Sequence, residues 1–208
     1  IELAYEQDSA IASFAEATGV GEDFSAGMTD AYMNTRAFGV SMGEAGESAT
    51  SLYTNMADFS TLNENVRTEL IGSVALMNEF GISTEVSSQA LDTMTKVLGM
   101  TALEAADLSE ELVQMAENIG IPPARLMQEL SETAPQLAQW GSQTTDVFLE
   151  LQEVSKATGI ELGGLLGIVG QFDTFESAGE AAGRLNAMLG GPYLNSMELL
   201  NANEADRI

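Results

Sequence analysis

Carboxylates are the reactive groups this sequence offers in quantity, with 32 Asp and Glu against seven Lys and Arg in 208 residues. Paired carboxylates perform general acid–base chemistry on glycosidic bonds when two of them face each other across a cleft. Glu110 with Glu111, Glu129 with Glu132 and Glu150 with Glu153 are close in sequence, but such spacing shows no cleft. Chance pairing follows from so acidic a composition, and solvated helix faces account for it. No D-x-D-x-D-G calcium loop occurs. The chain has no Cys and no His, which excludes disulfides, thiolate nucleophiles, Cys/His zinc sites and imidazole acid–base catalysis. Without them no nucleophile–base pairing can be assembled. The sequence is read as not an enzyme, with no catalytic, cofactor-binding or metal-ligating residue assigned.

Two other residue patterns carry a chemical suggestion. Gly163 and Gly167 form a GxxxG spacing that Gly179 and Gly183 repeat, a spacing that lets membrane helices approach closely. The apolar stretch around the first pair, residues 160–170, falls well short of the ~20 residues needed to span a bilayer. A tight helix crossing inside a protein core is the expected use, and membrane contact is left only as a transient role for 160–170. A phosphate-cradling loop is excluded because no GK[ST] follows and no basic residue is near. Eleven Met residues could furnish an adaptable binding groove. Met77, Met94, Met115 and Met127 instead fall on apolar stripes and read as core.

The net charge of −25 narrows the partners. Arg36, Arg67, Lys96, Arg125, Lys156, Arg184 and Arg207 are scattered singly, whereas phosphate binding needs several cations on one face. No direct nucleic-acid binding is expected, and anionic lipid is disfavoured for the same reason. Partners are expected to be proteins, met through apolar faces. The N-terminus lacks a basic region followed by an apolar one, so no signal peptide is read. Ile1 in place of Met suggests a longer or processed product.

These groups must be positioned by helices. Ala, Leu, Met, Glu and Gln dominate, and they lose little freedom in a helix. The chain is punctuated by an apolar or small residue, Gly, an apolar residue and often Ser, Thr or Pro. Examples are Phe38-Gly39-Val40-Ser41, Phe80-Gly81-Ile82-Ser83, Leu98-Gly99-Met100-Thr101 and Ile119-Gly120-Ile121-Pro122. Asp58-Phe59-Ser60-Thr61 fills one gap without glycine, and successive marks fall 18 to 21 residues apart. Glycine past a helix end takes the left-handed conformation, the apolar residue after it folds back, and Ser, Thr or Pro opens the next helix. Thr101 and Glu104 have capping-box spacing. Between marks, apolar residues keep helical spacing, as in Leu62, Val66, Leu70, Val74 and Met77, or Val86, Ala90, Met94 and Val97. Helices of roughly 12–17 residues are too short to stand alone and must stack. Pro135 is expected to split its segment. The expected fold is all-α, an array of short Gly-capped helices folded as successive αα-hairpins. Residues 1–159 form the array, and a Gly-rich helical segment, 160–208, packs on it. Within that segment Gly190, Gly191 and Pro192 mark a turn before a last helix at 193–201.

The cadence resembles that of bacteriophage tail tape-measure proteins. It is carried by Ala17-Thr18-Gly19-Val20, Phe80-Gly81-Ile82-Ser83-Thr84-Glu85, Leu98-Gly99-Met100-Thr101 and Ala157-Thr158-Gly159-Ile160-Glu161. The runs Phe172-Asp173-Thr174-Phe175-Glu176 and Arg184-Leu185-Asn186-Ala187-Met188-Leu189-Gly190-Gly191-Pro192-Tyr193-Leu194 are similar to segments in structural proteins of large tailed phages. The resemblance implies a virion structural protein, made in the host cytoplasm and lodged in the tail lumen or at the tail tip. It would act in tail assembly and length determination and be released at genome ejection. Implied partners are copies of itself, as a homo-trimer or hexamer, and tail-tube and tail-tip or baseplate-hub proteins. No catalytic residues carry over. A ruler should be extended, and a helix broken this often folds back, so a folded end segment is expected. The alternatives are a helical-repeat adaptor that binds a protein in a groove, and a membrane-active helical module.

Overall fold

The computed structural model describes residues 2–20, 22–170, 182–184, 186–187 and 195. Helices follow one another as α1 (Glu2–Thr18), α2 (Glu22–Thr35), α3 (Met42–Asn55), α4 (Glu64–Glu79), α5 (Thr84–Lys96), α6 (Ala102–Ile119), α7 (Pro123–Leu137), α8 (Thr144–Thr158) and α9 (Leu162–Val169). Short 3-10 turns occupy Arg36–Phe38, Phe59–Thr61 and Ala138–Gln143. No strand occurs among the described residues, and the protein is all-α as its sequence predicts. The run 172–176 and the turn at Gly190, Gly191 and Pro192 lie outside the described residues, as does the helix expected at 193–201 apart from Asn195.

Local chemistry sets the helix ends. Ser41 and Thr101 open α3 and α6 with full capping boxes, each hydroxyl accepting from the N3 amide while the N3 glutamate accepts from the cap amide. Asn63 and Ser83 cap α4 and α5 with one bond each. At the end of α6, Gly120 takes φ 72°, and the Ile121 amide reaches back to the Ala116 carbonyl at 2.9 Å. Gly81 (φ 81°) does the same after α4, where the Ile82 amide donates to the Met77 carbonyl at 3.1 Å and the Ile82 side chain is fully buried. The glycine-less gap works differently. Phe59 is buried within the 3-10 turn, and Asn63 restarts the helix.

Contacts divide the chain into two compact units, Ile1–Ala134 and Pro135–Ile208. The division falls within α7, whereas the sequence reading sets it at 159/160. In the first unit the most extensive packing joins helices two apart: α1 with α3, α2 with α4, and α3 with α5. Sequential neighbours touch less, so the chain builds two layers, α1–α3–α5 and α2–α4–α6, and not a row of independent hairpins. Each linker returns the chain to the opposite layer, and the next linker returns it beside the helix before last. Central α4 touches α2, α3, α5 and α6. Its Leu70, Ile71, Val74, Ala75 and Met77 are buried, wider than the single stripe its sequence suggests. Val97, assigned to the stripe of α5, is 38% exposed instead, because it lies past the helix end at the C-cap.

An aromatic cluster ties four helices together. Phe14 of α1 lies 5.2 Å from Phe24 of α2 and 5.8 Å from Tyr53 of α3, centroid to centroid. Phe24 stacks on Phe59 at 5.9 Å, and the Arg67 guanidinium of α4 sits 4.5 Å over the Phe24 ring.

In the second unit α8 buries Val147, Phe148 and Leu151, and α9 buries Leu162, Leu165, Leu166 and Val169. The expected break at Pro135 does not occur. The α7 helix runs on to Leu137 and tightens into the 3-10 segment, where the Thr144 hydroxyl donates to the Leu137 carbonyl at 3.0 Å. Pro135 sits so near the helix end that its missing amide disturbs only the final turn.

Candidate functional site

A shallow groove of about 920 Å³ crosses the α1–α3–α5 layer. It exists because the residues facing it are small. Ala10, Ser13 and Ala17 recur at helical spacing on α1, as do Gly43, Gly46, Thr50 and Thr54 on α3. A Cβ placed on Gly46 would lie 3.1 Å from the Ala10 Cβ, so glycine there allows the close approach of α1 and α3. Hydroxyls secure α3 to α5: Ser51 and Ser88 oxygens are 2.8 Å apart, and the Asn55 amide donates to Ser88 at 3.2 Å. Below them the Ala57 amide donates to Asp92 at 3.0 Å, and Lys96 pairs with Asp58. Glu6, Glu47 and Glu85 line the groove, Lys and Arg do not, and Tyr5 stands 76% exposed at its lip. Such a surface offers hydrogen-bonding groups and negative charge.

Ser41 at the groove edge comes nearest to a nucleophile–base pair, its hydroxyl donating to the Glu44 carboxylate at 2.7 Å. The same oxygen of Glu44 accepts from the Ser41 amide at 2.7 Å. Hydrogen bonds from the Ser41 hydroxyl and then its amide hold the Glu44 carboxyl below its ordinary pKa, against a smaller opposing push from burial. A carboxylate with a lowered pKa is a weaker base, so the pair serves as a helix cap. Glu104 is lowered in the same way, first by the Thr101 amide and then by its hydroxyl.

The carboxylate pairs of the sequence do not converge. Glu110 and Glu111 are exposed on α6, and Glu150 and Glu153 are exposed on α8. Glu129 pairs with Arg125 at 2.6 Å, while Glu132 accepts from Gln128 at 3.2 Å. Among the described residues no group of three or more acidic side chains is placed to hold a metal ion. The glycines of α9 correct another expectation. Gly163 and Gly167 are exposed, and among the described residues a Cβ on either would meet nothing within 4 Å, so no tight crossing on them is seen there. The leucines of α9 take its buried face and leave the glycines outward; Gly183 is likewise open, and Gly179 lies outside the described residues. Among the described residues no helix is long and apolar enough to cross a membrane. Met77, Met94 and Met127 are core, and Met115 is half-buried.

The groove itself is not legible as a site in the sequence. Its signal was present in the Ala, Ser, Gly and Thr residues spaced three and four apart on α1 and α3, which carry no chemistry to attract notice. Comparison with known proteins adds no relative: no protein family, curated protein or solved structure matches the chain.

Proposed function

We propose that this chain is a folded segment of a phage tail protein of the tape-measure kind, lodged in the tail lumen or at the tail tip, acting in tail assembly and length determination and leaving at genome ejection. It works by helix packing with copies of itself and with tail-tube and tail-tip or baseplate-hub proteins. One observation carries the reading. The 18-to-21-residue cadence on which the resemblance rests is also the period at which the helices turn back and stack two apart. The net charge of −25 suits a plug that must not hold the DNA following it. A second reading, a helical-repeat adaptor, is favoured by the groove across α1, α3 and α5.

Light scattering of the purified chain separates them. A trimer or hexamer supports the tail reading, and a compact monomer near 22.0 kDa turns the assignment toward the adaptor. In electron-density maps of intact tails, a continuous rod where this segment lies would refute the folded-segment reading.

A further inference from the structure

We propose that the trough between α4 and α6 docks an amphipathic helix of a partner protein whose apolar face is flanked by Lys or Arg. The trough encloses about 540 Å³ on the α2–α4–α6 layer, apart from the small-residue groove. Its floor is apolar, made by Leu76, Met77 and Val113. Its walls are two phenylalanines that the fold leaves out of the core. Of six described phenylalanines, Phe14, Phe24, Phe59 and Phe148 are buried, while Phe38 is 69% and Phe80 57% exposed. Both exposed rings line this one trough.

The repeat explains the convergence. Phe38 and Phe80 each stand just before the glycine that ends a chain segment, Gly39 (φ 108°) and Gly81 (φ 81°). The following residues, Val40 and Ile82, fold back and are buried, which turns the phenylalanines outward. Because α2 and α4 are neighbours in one layer, equivalent ends lie side by side. On α6, residues 110, 113, 114 and 117 face the trough, the spacing of a single helical face. A helix laid across faces of two helices is the geometry of helix-in-groove recognition.

Charge selects the occupant. Exposed Glu79, Glu110 and Glu117 edge the trough, and no Lys or Arg lines it. A second copy would bring another strongly acidic surface against them, since each chain carries −25. Lys or Arg beside an apolar stripe complements both the rim and the floor. This occupancy goes beyond the tape-measure reading and does not require it.

The test uses the full chain and a fluorescent synthetic helix of about 18 residues, with leucines on one face and lysines at its flanks. A matched peptide carries Glu in place of Lys. Anisotropy titrations should show the Lys peptide binding and the Glu peptide failing to bind. The variant Phe38→Ser with Phe80→Ser should weaken binding by about tenfold or more. Glu110→Gln with Glu117→Gln should weaken it too and flatten its salt dependence. On binding, amide exchange should slow at 76–80 and 110–117. Undiminished binding by the serine variant would mean general attraction to an acidic protein and overturn the proposal. Equal affinity for the Glu peptide would overturn the stated chemistry. Both rings are more than half exposed, so circular dichroism should show the serine variant folded; if it is not, the glutamine pair and the exchange footprint decide.

Discussion

Phe14→Ala tests the idea that this protein is held together helix by helix. Phe14 is fully buried and touches Phe24 and Tyr53, at centroid distances of 5.2 and 5.8 Å. Truncating a buried Phe to Ala costs about 3–5 kcal/mol, from lost transfer energy and the cavity left behind. The two ring contacts, each about 0.5–1.5 kcal/mol, place this site near the top of that range. Against a total stability of about 5–15 kcal/mol, the variant should fold with little margin. Urea unfolding followed by far-ultraviolet circular dichroism gives the difference. Amide exchange then locates it. Packing runs between near neighbours, α1 with α3 and α2, and α3 with α5, so protection should fall first in α1, α2 and α3 while α6 keeps most of its own. A loss under about 1 kcal/mol would show that the cluster is not the anchor its burial implies. An equal loss of protection through α6 would show one cooperative core in place of a layered array.

Four further outcomes follow from helix geometry and capping. Gly120 holds φ 72° at the end of α6, so Gly120→Ala should lower stability by about 1 kcal/mol in urea melts. Gly43→Ala, in a helix and with only the Ser41 hydroxyl at 3.8 Å, should leave stability unchanged or raise it. At α3, Ser41→Ala should cost about 1 kcal/mol at neutral pH. The Glu44 carboxyl is held below its ordinary pKa by Ser41, so its contribution is full above the ordinary carboxylate range and fades as pH falls through the lowered value. The stability gap between wild type and Glu44→Gln, measured from pH 7 downward, should narrow on acidification; a gap that widens would contradict the cap.

Much of the fold was legible because its signals are local. Gly39, Gly81 and Gly120 mark helix ends through backbone sterics that need no tertiary partner, and Thr101 with Glu104 announces α6 by spacing alone. What the sequence hid depends on which helix meets which. A stripe such as Leu70, Val74 and Met77 says that α4 is buried on one side, but not that Ile71 and Ala75 are buried too in a helix touching four others. Stacking two apart was hidden for the same reason, since a short linker fixes where the chain turns and leaves the next partner to side-chain fit. The glycines of α9 misled because GxxxG spacing permits close approach without requiring it. The apolar residues between them decided which face went inward. Phe38 and Phe80 look only like punctuation in the sequence, because exposure is a property of the assembled layer.

The layered arrangement constrains what the chain could contribute under the proposed tape-measure reading. A continuous helix advances 1.5 Å per residue. In a two-layer array each layer advances by one interhelical distance, roughly 8–10 Å, for every two helices laid down. Two helices with their linkers take two of the 18-to-21-residue periods, so the advance is roughly 0.2 Å per residue, about one-seventh of a rod's. Lengthening such a segment by one repeat would barely lengthen a tail. Lateral contact surface is what the folding provides instead: helices of 13 to 18 residues in the first six are roughly 20–27 Å long and are exposed in rows on two layers. Within the tail reading, reach would have to come from continuous helix, and this array would be the part that grips its neighbours.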